Sequence, residues 1–174
     1  MKVIISDRSK QHMEAHREDF LIPYEDLIEW CRENGQFEDL AQYFEVIEVE
    51  FPFYIGYGKL FETGPGDDVV FAMRVNRDIY TRFIKNREPY LIKSCVICLR
   101  KNLEREGKYY LVTMFPGFKS EKEPQDKSIS TMQELKKSLD FWNKHALLYE
   151  PGIIQLDTIT RLCPYHDLYD IVAG

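Results

Sequence analysis

Most of the signatures that would assign this chain a function at sight are missing. No run approaches the roughly 20 consecutive apolar residues that carry a helix across a bilayer. The N-terminal stretch MKVIISDRSK has no signal-peptide apolar region. A cytoplasmic location with no membrane partner is therefore expected. GxSxG, P-loop and GxGxxG patterns are absent, which removes the serine-hydrolase elbow, the NTP phosphate loop and the dinucleotide fingerprint. Internal repeats and low-complexity stretches are absent as well.

Cysteine and histidine are scarce, at four each. In a reducing compartment Cys31, Cys95, Cys98 and Cys163 are expected as thiols rather than disulfides. Cys95 and Cys98 form a CxxC inside LIKSCVICLR, which reads as a strand. Residues three apart on a strand face opposite sides, so the pair is expected as core thiols rather than metal ligands. His12 and His16 lie four apart and would share a helix face. With Cys163 and His166 they would complete four zinc ligands, but HMEAH lacks the HExxH order. The leading reading therefore carries no metal and no cofactor.

What is present suits one globular domain over residues 1–174, with 44% hydrophobic and 14% aromatic residues to build its core. Ser6 and Asp7 predict the start of a helix through RSKQHMEAHREDF, and Pro23 opens a second that Gly35 stops. Phe37 to Phe44 predicts a short third helix. The period then changes: VIEVEFPFYIGYGKLFE, DDVVFAMRV, PYLIKSCVICLR and KYYLVTMF are rich in β-branched and aromatic residues. NRDIYTRFIKNRE suits either a short helix or an extended arm. PGFKSEKEPQDKSIS reads as a polar, solvated loop holding Glu121, Glu123 and Asp126, and Asp67 and Asp68 as turn residues of GPGDD. Thr131 with Glu134 forms a capping box that predicts a last helix through TMQELKKSLDFWNKHALL, with His145 near its end, where the helix dipole favours a positive charge. Residues 151–174 read as an ordered tail in which Ile153, Ile154, Leu156, Leu162 and Tyr165 seek burial. The expected class is α+β: N-terminal helices, one mostly antiparallel sheet of four to five strands, and a C-terminal helix.

Charge is the most informative pattern. Residues 71–101 hold eight Lys and Arg against two acids, a local +6, while the whole chain is −6. Arg74, Arg77, Thr81, Arg82 and Lys85, beside Tyr80 and Phe83, suit a phosphate-bearing partner. Metal-free RNA cleavage needs one group to take the 2′-OH proton, one to protonate the leaving 5′-oxygen, and cations to hold the phosphate. His12 and His16 suit the proton transfers, and Thr113 lies on a following strand.

The order of these motifs, SKQHMEAH, FAMRVNR, YTRFIK and YYLVTMFPG, resembles the ribonuclease toxins of the barnase, EndoU, colicin and RelE superfamily. Residues 5–149, with Pro124-Gln125-Asp126 and the segment from Phe141 to Leu147, also look like a bacterial family whose activity is undefined. The toxin resemblance implies His16 or His12 as acid or base, Arg74 and Arg82 on the phosphate, and Thr113 at the substrate. Arg77, Thr81, Lys85 and His145 would add substrate contacts. It also implies RNA as partner, with a cognate inhibitor or carrier protein. The sequence pI near 5.3 departs from the basic character of many such domains. The rival reading is a non-enzymatic acidic interaction protein, an immunity or regulatory partner, whose acidic segment EDLIEWCRENGQFEDLAQYFEVIEVE engages a basic partner.

Overall fold

Ser6 sits where a strand gives way to a helix. Its Oγ accepts from the Ser9 amide at 3.2 Å, satisfying one of the free N–H groups of a helix start. The computed structural model describes residues 2–174. In chain order the elements are β1 (Lys2–Ile4), α1 (Asp7–Glu14), α2 (Tyr24–Glu33), β2 (Phe44–Glu50), β3 (Gly56–Gly58), β4 (Leu60–Glu62) and β5 (Val69–Met73). They continue with β6 (Tyr80–Ile84), β7 (Tyr90–Ile92), β8 (Ser94–Lys101), β9 (Lys108–Pro116), α3 (Met132–Trp142), β10 (His145–Leu148) and α4 (His166–Ala173). Short 3-10 turns lie at Arg17–Asp19, Pro151–Ile153 and Leu156–Thr158. Helices flank mostly antiparallel strands, so the chain is α+β as expected. Among the described residues the single expected sheet is replaced by three, of four, four and two strands. No described helix is long and apolar enough to cross a membrane.

The residues fall into two compact units, each built from two stretches of chain. The first comprises Met1–Gly58 and Tyr90–Lys119. Its four-stranded sheet runs β1-β9-β8-β2, with β1 parallel to β9 and the other pairs antiparallel. One face buries Val49, Cys95, Ile97, Leu99, Leu111 and Met114 against Met13 of α1 and Leu27, Ile28 and Cys31 of α2. Each buried aliphatic chain of this kind contributes about 1.5–3 kcal/mol by leaving water. Gly35, at φ +71°, closes α2 as expected. Residues 37–40 form no helix: Phe37 and Leu40 reach the core from turns, and Phe44 already belongs to β2.

The second unit comprises Lys59–Pro89 and Ser120–Gly174. Its sheet order is β4-β10-β6-β5, and β10 runs antiparallel to β4 and parallel to β6. The segment left open in sequence is a strand, β6, where Thr81 and Phe83 are fully buried on one face. Its β-branched and aromatic residues prefer the pleated, half-buried setting. α3 stops at Trp142, so His145 to Leu148 form a strand rather than the expected helix end. The tail is ordered because it pairs with β5: Phe71 and Thr160 exchange two backbone hydrogen bonds of 2.8 Å. Ile154 and Tyr165 are buried as expected, whereas Ile153, Leu156 and Leu162 stay exposed on turns.

Gly56 is a packing requirement. A Cβ there would lie 2.6 Å from Pro116 Cγ and closer still to the Asp19 carbonyl oxygen, which is backbone and has no rotamer to yield. Gly56→Ala is expected to lower stability by about 1–3 kcal/mol through overpacking. Urea denaturation checks this, and an unchanged midpoint would show that the two backbones can separate freely.

Candidate functional site

In the first unit the local sequence brings His12 onto β9 in two steps. β1 pairs with β9 in parallel, Ile4 opposite Tyr110, and hands the chain directly to α1. One turn into α1, the buried Ser9 hydroxyl donates to the Leu111 carbonyl and lies 3.1 Å from Ser6 Oγ. His12, three residues on, is then on the same side of the helix. The partner side of the contact comes from a β-bulge. Opposite β8, Cys98 pairs with Thr113 and Leu99 with Leu111, which leaves Val112 as the extra residue. Before the bulge Tyr109 and Leu111 point to the core; after it Met114 and Pro116 do. Without the bulge Thr113 would share the phase of Leu111 and face the core. With it Thr113 lies on the Tyr110 side, and its Oγ1 meets His12 Nε2 at 2.9 Å.

This pair lines a cleft of about 400 Å³ together with Arg8, Ser9, Arg100 and Tyr110. The Arg100 guanidinium lies 5.7 Å from the centre of the Tyr110 ring, its cross-strand neighbour. The His12 imidazole is held below its ordinary value of 6.5, first by partial desolvation and second by the His16 ring. The two ring centres are 4.9 Å apart. His16 Nδ1 lies 3.8 Å from Asp19 Oδ2. His12 is thus mostly neutral near pH 7 and able to accept a proton, beside two guanidinium groups suited to an oxyanion.

The other residues singled out from the sequence lie in the second unit, and most are engaged internally. Glu123, only 6% exposed, accepts from Arg74 Nη2 at 3.1 Å and from the Thr81 hydroxyl, and pairs with Arg77 at 3.3 Å. The loop read as solvated is therefore a pinned strap at this point. Ser138 Oγ donates to the Lys122 carbonyl at 2.5 Å, and Trp142 Nε1 donates to the Glu121 carbonyl at 3.0 Å. Arg82 donates to Thr63 Oγ1 at 2.8 Å and to the His145 carbonyl at 3.0 Å, and burial lowers its guanidinium from the ordinary value. Lys85 sits 4.9 Å over the Tyr149 ring. The His145 ring stacks on Phe141 with 4.1 Å between centres, and its Nδ1 lies 2.9 Å from the Phe141 carbonyl.

The structure thus joins His12 with Thr113 and joins Arg74, Arg77 and Thr81 around Glu123, in different units. Among the described residues no three of His, Cys, Asp and Glu are grouped to hold a metal, the set of His12, His16, Cys163 and His166 included. Sequence reasoning missed Arg8, Arg100 and Tyr110. Arg8 was legible in principle, since it is four residues before His12 on the same helix; Arg100 and Tyr110 come together only through the register of β8 and β9. Comparison with protein-family models, with curated proteins and with solved structures finds no match to this chain.

Two tests follow from this geometry. In an NMR titration His12 is expected to titrate below 6.5, and His16→Ala to raise it part of the way, because desolvation is the larger cause. Below pH 6.5 the unfolded chain binds more protons at this site than the folded one, so this group makes stability rise with pH through that window. A His12 midpoint at or above 6.5 would contradict the assignment. Glu123→Ala leaves two guanidinium groups without their counter-charge and is expected to destabilise the second unit by about 3–5 kcal/mol. Denaturation followed through Trp142, which packs in that unit, provides the measurement.

Proposed function

We propose that this protein is a metal-independent ribonuclease whose active site is the His12–Thr113 cleft. The observation that carries this reading is the 2.9 Å contact of a neutral-leaning histidine with Thr113 in a cleft that also exposes Arg8 and Arg100. The hydrogen bond to Thr113 orients the imidazole, and the unprotonated ring nitrogen serves as general base. That nitrogen takes the proton of a ribose 2′-OH as the 2′-oxygen bonds to phosphorus. The bond from phosphorus to the 5′-oxygen breaks, and His16, oriented beside Asp19, gives the leaving oxygen its proton. Arg8 and Arg100 hold the non-bridging oxygens as negative charge builds on them. The products are a 2′,3′-cyclic phosphate and a free 5′-hydroxyl. In this reading the phosphate contacts expected of Arg74, Arg77 and Arg82 pass to Arg8 and Arg100, because those three are engaged within the fold.

The test is cleavage of a fluorogenic RNA by the purified protein in EDTA, with products identified by mass. Cleavage to a cyclic phosphate is expected, with a loss of about 10²–10⁴-fold in His12→Ala. Arg8→Ala and Arg100→Ala are expected to lower the rate as well, while folded Arg82→Gln retains it. Cleavage that stops in EDTA, or that survives in His12→Ala, refutes the proposal.

A further inference from the structure

The first unit has an open sheet edge. β2 bonds to β8 along its whole length of seven residues and, among the described residues, has no strand on its other side. Every second residue of such a strand turns its N–H and C=O away from the sheet, which makes a template for another extended chain. The outer face of β2 is also graded. Phe44 and Val46, 49% and 39% exposed, lie at one end, and the exposed Glu48 and Glu50 at the other.

The acidic end runs into a cleft of about 570 Å³ lined by Glu48, Glu50, Tyr54, Tyr90, Lys93 and Phe118. Glu50 makes no ion pair among the described residues, and Glu48 is engaged by one backbone amide, that of Lys119 at 2.7 Å. The cleft already accommodates an ammonium group: Lys93 Nζ stands 4.9 Å over the Tyr54 ring. An aromatic surface beside two carboxylates recognises a cationic side chain by ring quadrupole and charge together.

We infer that β2 and this cleft form a docking edge for an extended basic segment of a partner protein. The segment adds as a strand along β2, placing alternate apolar residues by Phe44 and Val46 and alternate Lys or Arg residues by Glu48 and Glu50. Charge selects the occupant. A second copy of this chain pairing antiparallel would set its Phe44 and Val46 against Glu50 and Glu48, leaving each carboxylate opposite an apolar side chain, whereas a basic strand is complementary. Backbone hydrogen bonds supply affinity and the alternate side chains specificity, the usual division in strand addition. Antiparallel addition, the commoner pairing, predicts the order basic then apolar from the partner's N-terminus.

The probe is a labelled peptide, Lys-Thr-Lys-Thr-Val-Thr-Val, measured by fluorescence anisotropy against the intact protein. It is expected to bind at least tenfold more tightly than Glu-Thr-Glu-Thr-Val-Thr-Val and to slow amide exchange in residues 44–50. Glu50→Lys is expected to weaken binding at least tenfold. The same peptide with alternate backbone nitrogens methylated is expected not to bind, and this control needs no protein variant. Equal binding of the methylated or acidic peptide, or no binding at all, overturns the inference.

Discussion

The hydroxyl of Ser9, donating to the Leu111 carbonyl, is the contact on which the first unit's functional geometry rests. It falls beside the extra residue of the β9 bulge, where the ladder with β8 is interrupted. A backbone acceptor at such a point needs a partner when buried, and leaving it unmet costs about 1–3 kcal/mol. The helix supplies that partner, so one bond both repairs the strand and seats α1. The same bulge turns Thr113 outward as α1 brings His12 down. Strand irregularity, helix position and the histidine–hydroxyl pair are one constraint seen at three levels.

Glu123 plays the corresponding part in the second unit. A carboxylate removed from water is costly unless charged donors meet it, and Arg74 and Arg77 do so from the segment between β5 and β6, and Thr81 from β6. This consumes much of the local positive charge that makes residues 71–101 conspicuous. Arg87 pairs with Asp67, and Lys93, Arg100 and Lys101 belong to the other unit. A run of like charges in sequence is thus divided between two units and in part ion-paired by residues remote along the chain. The cations left facing a cleft beside a titratable histidine are Arg8 and Arg100, which stand outside the central run or at its end.

Acidic excess and the proposed ribonucleolytic site are compatible once charge is considered locally. The −6 of the whole chain opposes long-range attraction of RNA, but potentials within a cleft follow nearby groups and their desolvation. The acids concentrate elsewhere, on α2 and along β2, where the proposed docking edge lies.

The sequence by itself determined the local elements wherever a single residue carries the signal. The Ser6 cap, the Gly35 stop, the Thr131 cap and the alternating strands of the middle region all appear, because capping, positive φ and period-two burial are set by neighbours within a few residues. It also singled out His12 and Thr113. Tertiary structure alone decided that these two touch, since 101 residues separate them and a one-residue bulge sets the face on which Thr113 emerges. It likewise made strands of residues 80–84 and 145–148, where pairing with distant partners overrode ambiguous or helical local preference. And it decided which charges are free: an arginine's sequence shows its charge, but only the fold reveals whether a buried carboxylate has already claimed it.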